Sequence, residues 1–188
     1  MKNRILAILD DSVNVKTAAV NANLDLIIKA GEMMADCLRA DGKILIFGNG
    51  GSAADAQHIA AEFVNRFQIE RPPLAAIALT TDSSILTSIG NDYHFDEIFS
   101  KQVAALGNKN DIAWGISTSG NSKNVVRAMD VAKEKGLVTI GMSGKGGQLA
   151  EISDLVFKVD SDVTARIQET HITIGHMLCE IVDTILFP

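Results

Sequence analysis

No uninterrupted apolar run in this 188-residue sequence reaches the roughly 18 residues that a membrane-spanning helix requires. The opening segment MKNRILAILDDSVNV is broken by Asp10 and Asp11, too early for the apolar core of a signal peptide. Basic charge is scarce as well. With 17 Lys and Arg against 23 Asp and Glu, the net charge is -6, so the chain lacks the cationic surface that binding to DNA or RNA phosphates demands. Cysteines are few: Cys37 and Cys179 sit in apolar helical segments without metal or redox spacing, which excludes a disulfide framework and fits buried reduced thiols. The expectation is a cytoplasmic protein with no membrane or direct nucleic-acid partner. The three prolines are Pro72, Pro73 and Pro188, and no repeat, low-complexity tract or linker divides the chain. A length of this order suits one domain with a sizeable core.

What is present has two textures. From about Asn3 to Arg39 apolar residues recur at helical spacing (Ile5, Leu6, Ile8, Leu9, then Leu24, Leu26, Ile27, Met33, Met34, Leu38), and Asp41-Gly42 supplies a stop. This stretch predicts one long amphipathic helix or two. It exceeds what one face of a small sheet can cover, so part of it is expected to pack on another subunit. From Lys43 onward, short apolar runs alternate with helical stretches: KILIFG, AAIALT, DIAWGIS, VTIGMS and DLVFKV. Strands apolar throughout must be buried on both faces, which predicts a three-layer α/β sandwich with a five-stranded parallel sheet. The chain then reads as one domain, with residues 1–41 as a helical oligomerisation segment and 42–188 as the α/β core. Ligands in such folds sit beyond the carboxyl ends of the strands, so the loops after the first and third strands are the places to search.

Both loops have the composition of an anion cradle. Gly48-Asn49-Gly50-Gly51-Ser52 opens into the helical run AADAQHIAAEFVNRF, and Ser117-Thr118-Ser119-Gly120-Asn121-Ser122 opens into KNVVRAMDVAKEKG. Glycine lets backbone approach an anion, amides at a helix N-terminus point at it, and hydroxyls can wrap a phosphate without a cation. Either loop alone is also an ordinary set of turn and N-cap residues; two at equivalent strand ends are less ordinary. Gly48 to Ala53 also satisfies the G-x-G-x-x-G/A dinucleotide pattern. The acidic residue that should hold a ribose about 20 residues on is missing, because Gln68 to Pro73 read as a loop. The Walker lysine is absent too.

Groups that can do chemistry lie on two helical segments. His58 and Glu62, four apart, share a face. The last segment, TARIQETHITIGHMLCEIVDTILF, carries Gln168, His171 and His176 among apolar residues, where polar side chains need partners. Spacing leaves both histidines open as site residues, and a buried structural histidine is the plainer reading of each. Two histidines and a glutamate suit a zinc-like ion, an acid/base pair or an interface ion pair. Asn91-Asp92 closes the run SSILTSIG, where a helix cap is the plain reading.

Together NGGSAADAQH, AEFVNRF, ALTTDSS, GNDYHFD, ISTSGNS and ARIQETH resemble the sugar isomerase (SIS) family, and within it the phosphoheptose isomerases, over nearly all of the chain from Gly42 onward. The resemblance implies a flavodoxin-like domain, a homotetramer with sites at subunit interfaces, and conversion of sedoheptulose 7-phosphate to glycero-manno-heptose 7-phosphate on the way to ADP-heptose and lipopolysaccharide core. It implies substrate contacts at Asn49, Gly50, Gly51, Ser52, Glu62, Asn91, Asp92, Ser117, Thr118, Ser119, Ser122 and Gln168; since aldose-ketose isomerisation needs a base and an acid, Glu62 and His176 are the expected catalytic pair. It also implies one zinc per subunit held by His58, Glu62, Gln168 and His176, and so selects His176 over His171. A non-enzymatic relative, a DnaA-binding initiation factor, is similar in NRFQIERPPLAAIAL and in the ending ILFP. That relative lacks the helix glutamate and the second histidine of the last helix, both of which this chain keeps. The chain departs from many isomerases at Tyr93-His94-Phe95, where they carry glycine between the aromatics.

Overall fold

The computed structural model describes residues 1–188. Two helices open the chain, α1 (Lys2–Ala22) and α2 (Leu24–Arg39), rather than a continuous one. The break falls at Asn23, whose side-chain amide donates to Ala19 O at 2.7 Å and to Lys158 O at 3.1 Å. It thus takes up an acceptor at the end of α1 and ties the junction to the far edge of the sheet. Asp41, at φ 59, turns the chain out of α2 as the Asp-Gly pair predicts.

The α/β alternation follows as β1 (Ile44–Gly48), α3 (Gly51–Val64), β2 (Ala76–Ala78), α4 (Ser83–Asp92), a 3₁₀ turn at Phe95–Glu97, α5 (Ser100–Leu106), β3 (Ile112–Ser117), α6 (Lys123–Glu134), β4 (Val138–Ser143), α7 (Gln148–Ile152), β5 (Leu155–Lys158) and α8 (Thr164–Leu186). The five strands are all parallel in the order β2-β1-β3-β4-β5. Every residue of β1 and β3 is buried, which explains their unbroken apolar runs. Alternate side chains feed the two faces. Ile44 and Ile46 meet α2, α3 and α8 through Met34, Phe63 and Leu178, whereas Leu45 and Phe47 meet α5 and α6 through Val103 and Met129.

Strand order reverses at β1, which lies between β2 and β3. The carboxyl ends of β1 and β3 therefore flank the crevice in which such sheets bind ligands. On the α8 side, α3 and α8 run against each other, with Ile59 packed on Gly175. α3 ends at Val64, three residues short of the Phe67 that the sequence pattern allowed. No helix is long and apolar enough to cross a membrane.

Candidate active site

The serine loop closes on itself. Ser117 Oγ donates to Ser122 Oγ at 2.9 Å and lies 3.4 Å from Ser119 Oγ, while Asn121 N donates to Ser119 Oγ at 3.1 Å. Three hydroxyls thus converge at the N-terminus of α6, where Ser122 is the N-cap but makes no side-chain capping bond. The hydroxyls are free to turn toward an anion, and the first amides of α6 lie behind them. Gly120, at φ +68, lets the β4–α7 loop seat directly on this one, since a Cβ there would overlap Gly146 O. Gly144 N to Thr118 O at 3.0 Å, Leu149 N to Gly120 O at 2.8 Å and Gln148 N to Asn121 Oδ1 at 3.0 Å complete that support.

Across the crevice, Gly50 caps α3 without a side chain, so the N-terminus of that helix is open. Asn49 and Asn124 join the two loops: each carboxamide donates to the other's oxygen at 2.8 Å. Asn124 is buried in the first turn of α6. Sequence reasoning missed it, although a polar residue two positions past Ser122 on the buried face of a helix was the available signal. Beside the Asn49 loop, Gly48, Asn49, Gly50, Thr80, Leu86 and Phe95 help to line a pocket of about 180 Å³. Asn91 and Asp92 lie at the exposed end of α4, with Asn91 Nδ2 donating to Asp92 Oδ1 at 2.8 Å; no hydrogen bond links them to either loop within one chain. Nearby His94 is exposed, and its Nδ1 accepts from Asp96 N at 3.2 Å, capping the 3₁₀ turn.

His58, Glu62 and His176 come together. Glu62 Oε1 lies 3.0 Å from His58 Nε2, which lies 3.3 Å from His176 Nε2. All three donor atoms fall within 4.8 Å of one another, close enough to share one metal ion. Two imidazole nitrogens and a carboxylate oxygen are a set that zinc accepts, and imidazoles facing each other nitrogen to nitrogen are what a shared cation would bridge. The residues fit the metal. Phe67 stacks on His176 at 5.4 Å between ring centroids and 22° between planes, covering one face of the imidazole. No sequence signal marks Phe67, because only the packing of the loop after α3 brings it to α8.

Gln168 stands apart from this cluster within one chain. Eight residues before His176, it lies about 12 Å earlier along α8, with its amide packed on Gly51 so closely that a Cβ there would overlap it. His171 turns the other way: fully buried, its Nε2 donates to Ser143 O at 3.1 Å at the end of β4, and burial lowers its pKa to about 4. Asp55, one turn before His58, is raised above the usual carboxylate range by burial, partly offset by His58; its Oδ2 has no partner. Both cysteines are free and buried, and burial raises Cys37 to about 11 and Cys179 to about 12.

Two anion-ready loops at the switch point of a parallel α/β sheet, with a His-Glu-His cluster between α3 and α8, are the setting of a site for a phosphorylated ligand. Residues 9–144 match the SIS domain family, to which the chain belongs. It is similar to the phosphoheptose isomerase of Nitratidesulfovibrio vulgaris strain Hildenborough, at 58% identity over 94% of this chain and 86% of that one. It is also similar to the phosphoheptose isomerase of Thermodesulfovibrio yellowstonii, at 55% over 100% and 94%. Among solved structures, the phosphoheptose isomerase of Neisseria gonorrhoeae superposes with a TM-score of 0.92 at 46% identity, covering 97% of this chain and 98% of that one.

Proposed function

We propose that the chain is a phosphoheptose isomerase that interconverts sedoheptulose 7-phosphate and D-glycero-D-manno-heptose 7-phosphate, supplying ADP-heptose for lipopolysaccharide core. The observation that carries this reading is the meeting of Glu62 and His176 about His58, on a scaffold whose serine loop can anchor a phosphate. Family membership and the similarity to phosphoheptose isomerases support it.

The phosphate sits among Ser117, Thr118, Ser119 and Ser122, with the α6 amides behind. Asn49, Gly50, Gly51, Ser52, Asn91, Asp92 and Gln168 contact the open-chain sugar. Binding energy gathered at the phosphate positions carbons several bonds away. A proton leaves C1 of the ketose to give an enediol and returns at C2 to give the aldose, while the hydroxyl protons exchange between the two oxygens. Glu62 and His176 form the acid/base pair. Glu62 offers Oε1 to the cluster, and its Oε2, which accepts no hydrogen bond in the chain, remains for the carbon-bound proton. His58, Glu62, Gln168 and His176 are the proposed ligands of one zinc per subunit; when bound, it supplies electrophilic stabilisation of a developing oxyanion. Gln168 and the exposed Asn91-Asp92 pair are shared between subunits of a homotetramer. The apolar residues of α1 left open in one chain, among them Ile5, Leu6 and Leu9, supply the contact.

Glu62→Gln and His176→Gln test the assignment. Each is expected to lower kcat for heptose phosphate isomerisation by 10² or more. Two folded variants with wild-type turnover would refute it. Absence of isomerisation in the wild-type chain, with saturable binding to DnaA instead, would replace the enzyme reading with the scaffold one.

A further inference from the structure

A guanidinium that no step above uses is buried where α3 ends. We infer that Arg71 is a positioning residue: bridging the last turn of α3 to Asp183 of α8, it sets the placement of Glu62 relative to His176. This rests on the proposed acid/base pair.

The last carbonyls of a helix have no partners within it. In α3, Asn65 N takes Ala61 O at 2.9 Å, Arg71 Nη2 takes Glu62 O at 2.8 Å, and Phe63 O accepts from both Arg71 Nη1 at 2.7 Å and Leu74 N at 3.0 Å. Nη1 also reaches Pro72 O at 3.2 Å, and Nε donates to Asp183 Oδ1 at 2.7 Å. The side chain of Arg71 is 1% exposed and that of Asp183 6%. Asp183 lies seven residues after His176, two turns along the same helix. One planar group is therefore bonded to the backbone of Glu62 and to the helix of His176. Cys179, between His176 and Asp183, has its pKa raised by burial and then by the charges of Glu62 and Asp183, with Arg71 opposing.

Stability alone is a poor account of this pair. Burying both charges costs desolvation that their attraction only roughly offsets, and apolar residues of similar shape often do as well. Asp183 Oδ2 is moreover buried without a partner. What the guanidinium supplies is fixed geometry, a rigid fork whose donors hold two helices at set angles, which a lysine point charge cannot reproduce.

The test uses Arg71→Lys in the full chain. Steady-state kinetics on sedoheptulose 7-phosphate are read beside a Co²⁺ titration of metal-stripped protein, followed by visible absorption, and a thermal melt. The expected result is a folded protein with kcat down at least tenfold, KM within about twofold because the serine loop is untouched, and Co²⁺ affinity down at least fivefold. Should kcat and Co²⁺ affinity stay within twofold of wild type while only the melting temperature falls, Arg71 is structural and the inference is wrong. If Arg71→Lys does not fold, Asp183→Asn, which keeps the shape and removes the charge, is judged by the same criteria. A wild-type chain that binds Co²⁺ without isomerising, with affinity lost in the variant, sinks the isomerase reading and keeps the clamp. A wild-type chain that does neither sinks both.

Discussion

Removing one of the four hydroxyls of the serine loop leaves the other three and the α6 amides in place, so the loss falls on binding more than on chemistry. A hydrogen bond to a charged group contributes about 1.5–3 kcal/mol, and each 1.4 kcal/mol is about tenfold. Ser119→Ala and Ser122→Ala are each expected to raise KM for the sugar phosphate by about tenfold or more with kcat changed by less than about threefold. Initial-rate kinetics decide it, and an unchanged KM would remove the phosphate from that loop. At this scale the sequence was most legible where a residue type carries its own chemistry. The hydroxyls, the loop glycines, His58 and Glu62 could be named from spacing, because four residues along a helix fix a shared face. Phe67 and Arg71 could not, since each matters through a partner more than 100 positions away in the chain, 109 and 112 respectively; Asn124 could be flagged as a polar residue on a buried helix face but not paired with Asn49, 75 positions away.

Among the elements, α8 does two things with two histidines. His176 faces α3, while His171 is sealed against β4 and stays neutral at physiological pH. Spacing left both open, since a helix packed on a sheet and on a second helix buries side chains in two directions. The buried imidazole has a consequence for pH. Its folded pKa, about 4, lies below the ordinary value of 6.5, so the unfolded chain binds a proton that the folded one refuses. Above pH 6.5 this has no effect; as pH falls from there toward about 4, stability is lost progressively, up to about 3 kcal/mol in all. His171→Gln, which keeps a donor for Ser143 O, is expected to melt with a shallower dependence on pH across that window than the wild type. Parallel slopes in thermal melts between pH 7 and 4.5 would show that folding does not lower the pKa of His171.

The whole molecule leaves one surface unexplained by the fold of a single chain. α1 packs on α8 through Ala19 and the Ser12–Glu169 bond at 2.6 Å, yet Ile5, Leu6, Leu9 and Val13 remain open, Leu9 at 56% exposure. An apolar face of this extent is more costly in water than against another copy of itself. On the proposed homotetramer with sites shared between subunits, the double substitution Leu6→Glu/Leu9→Glu is expected to give smaller species and lower activity. Analytical ultracentrifugation with a parallel assay reads both; full activity in a monomer would show the site complete in one chain.

The sequence by itself determined the α/β alternation, the parallel sheet, the two loops at its carboxyl edge and one half of the chemical cluster, because periodicity and turn chemistry act over a few residues and need no distant partner. Spacing left His171 and His176 equal and only the resemblance chose between them; the tertiary structure is what brings His176 to His58, lays Gln168 on Gly51 and binds α3 to α8 through a guanidinium. Those outcomes depend on the relative rotation and rise of two helices more than 100 residues apart in the chain, which is fixed by the packing of their apolar faces on the sheet and not by any local preference.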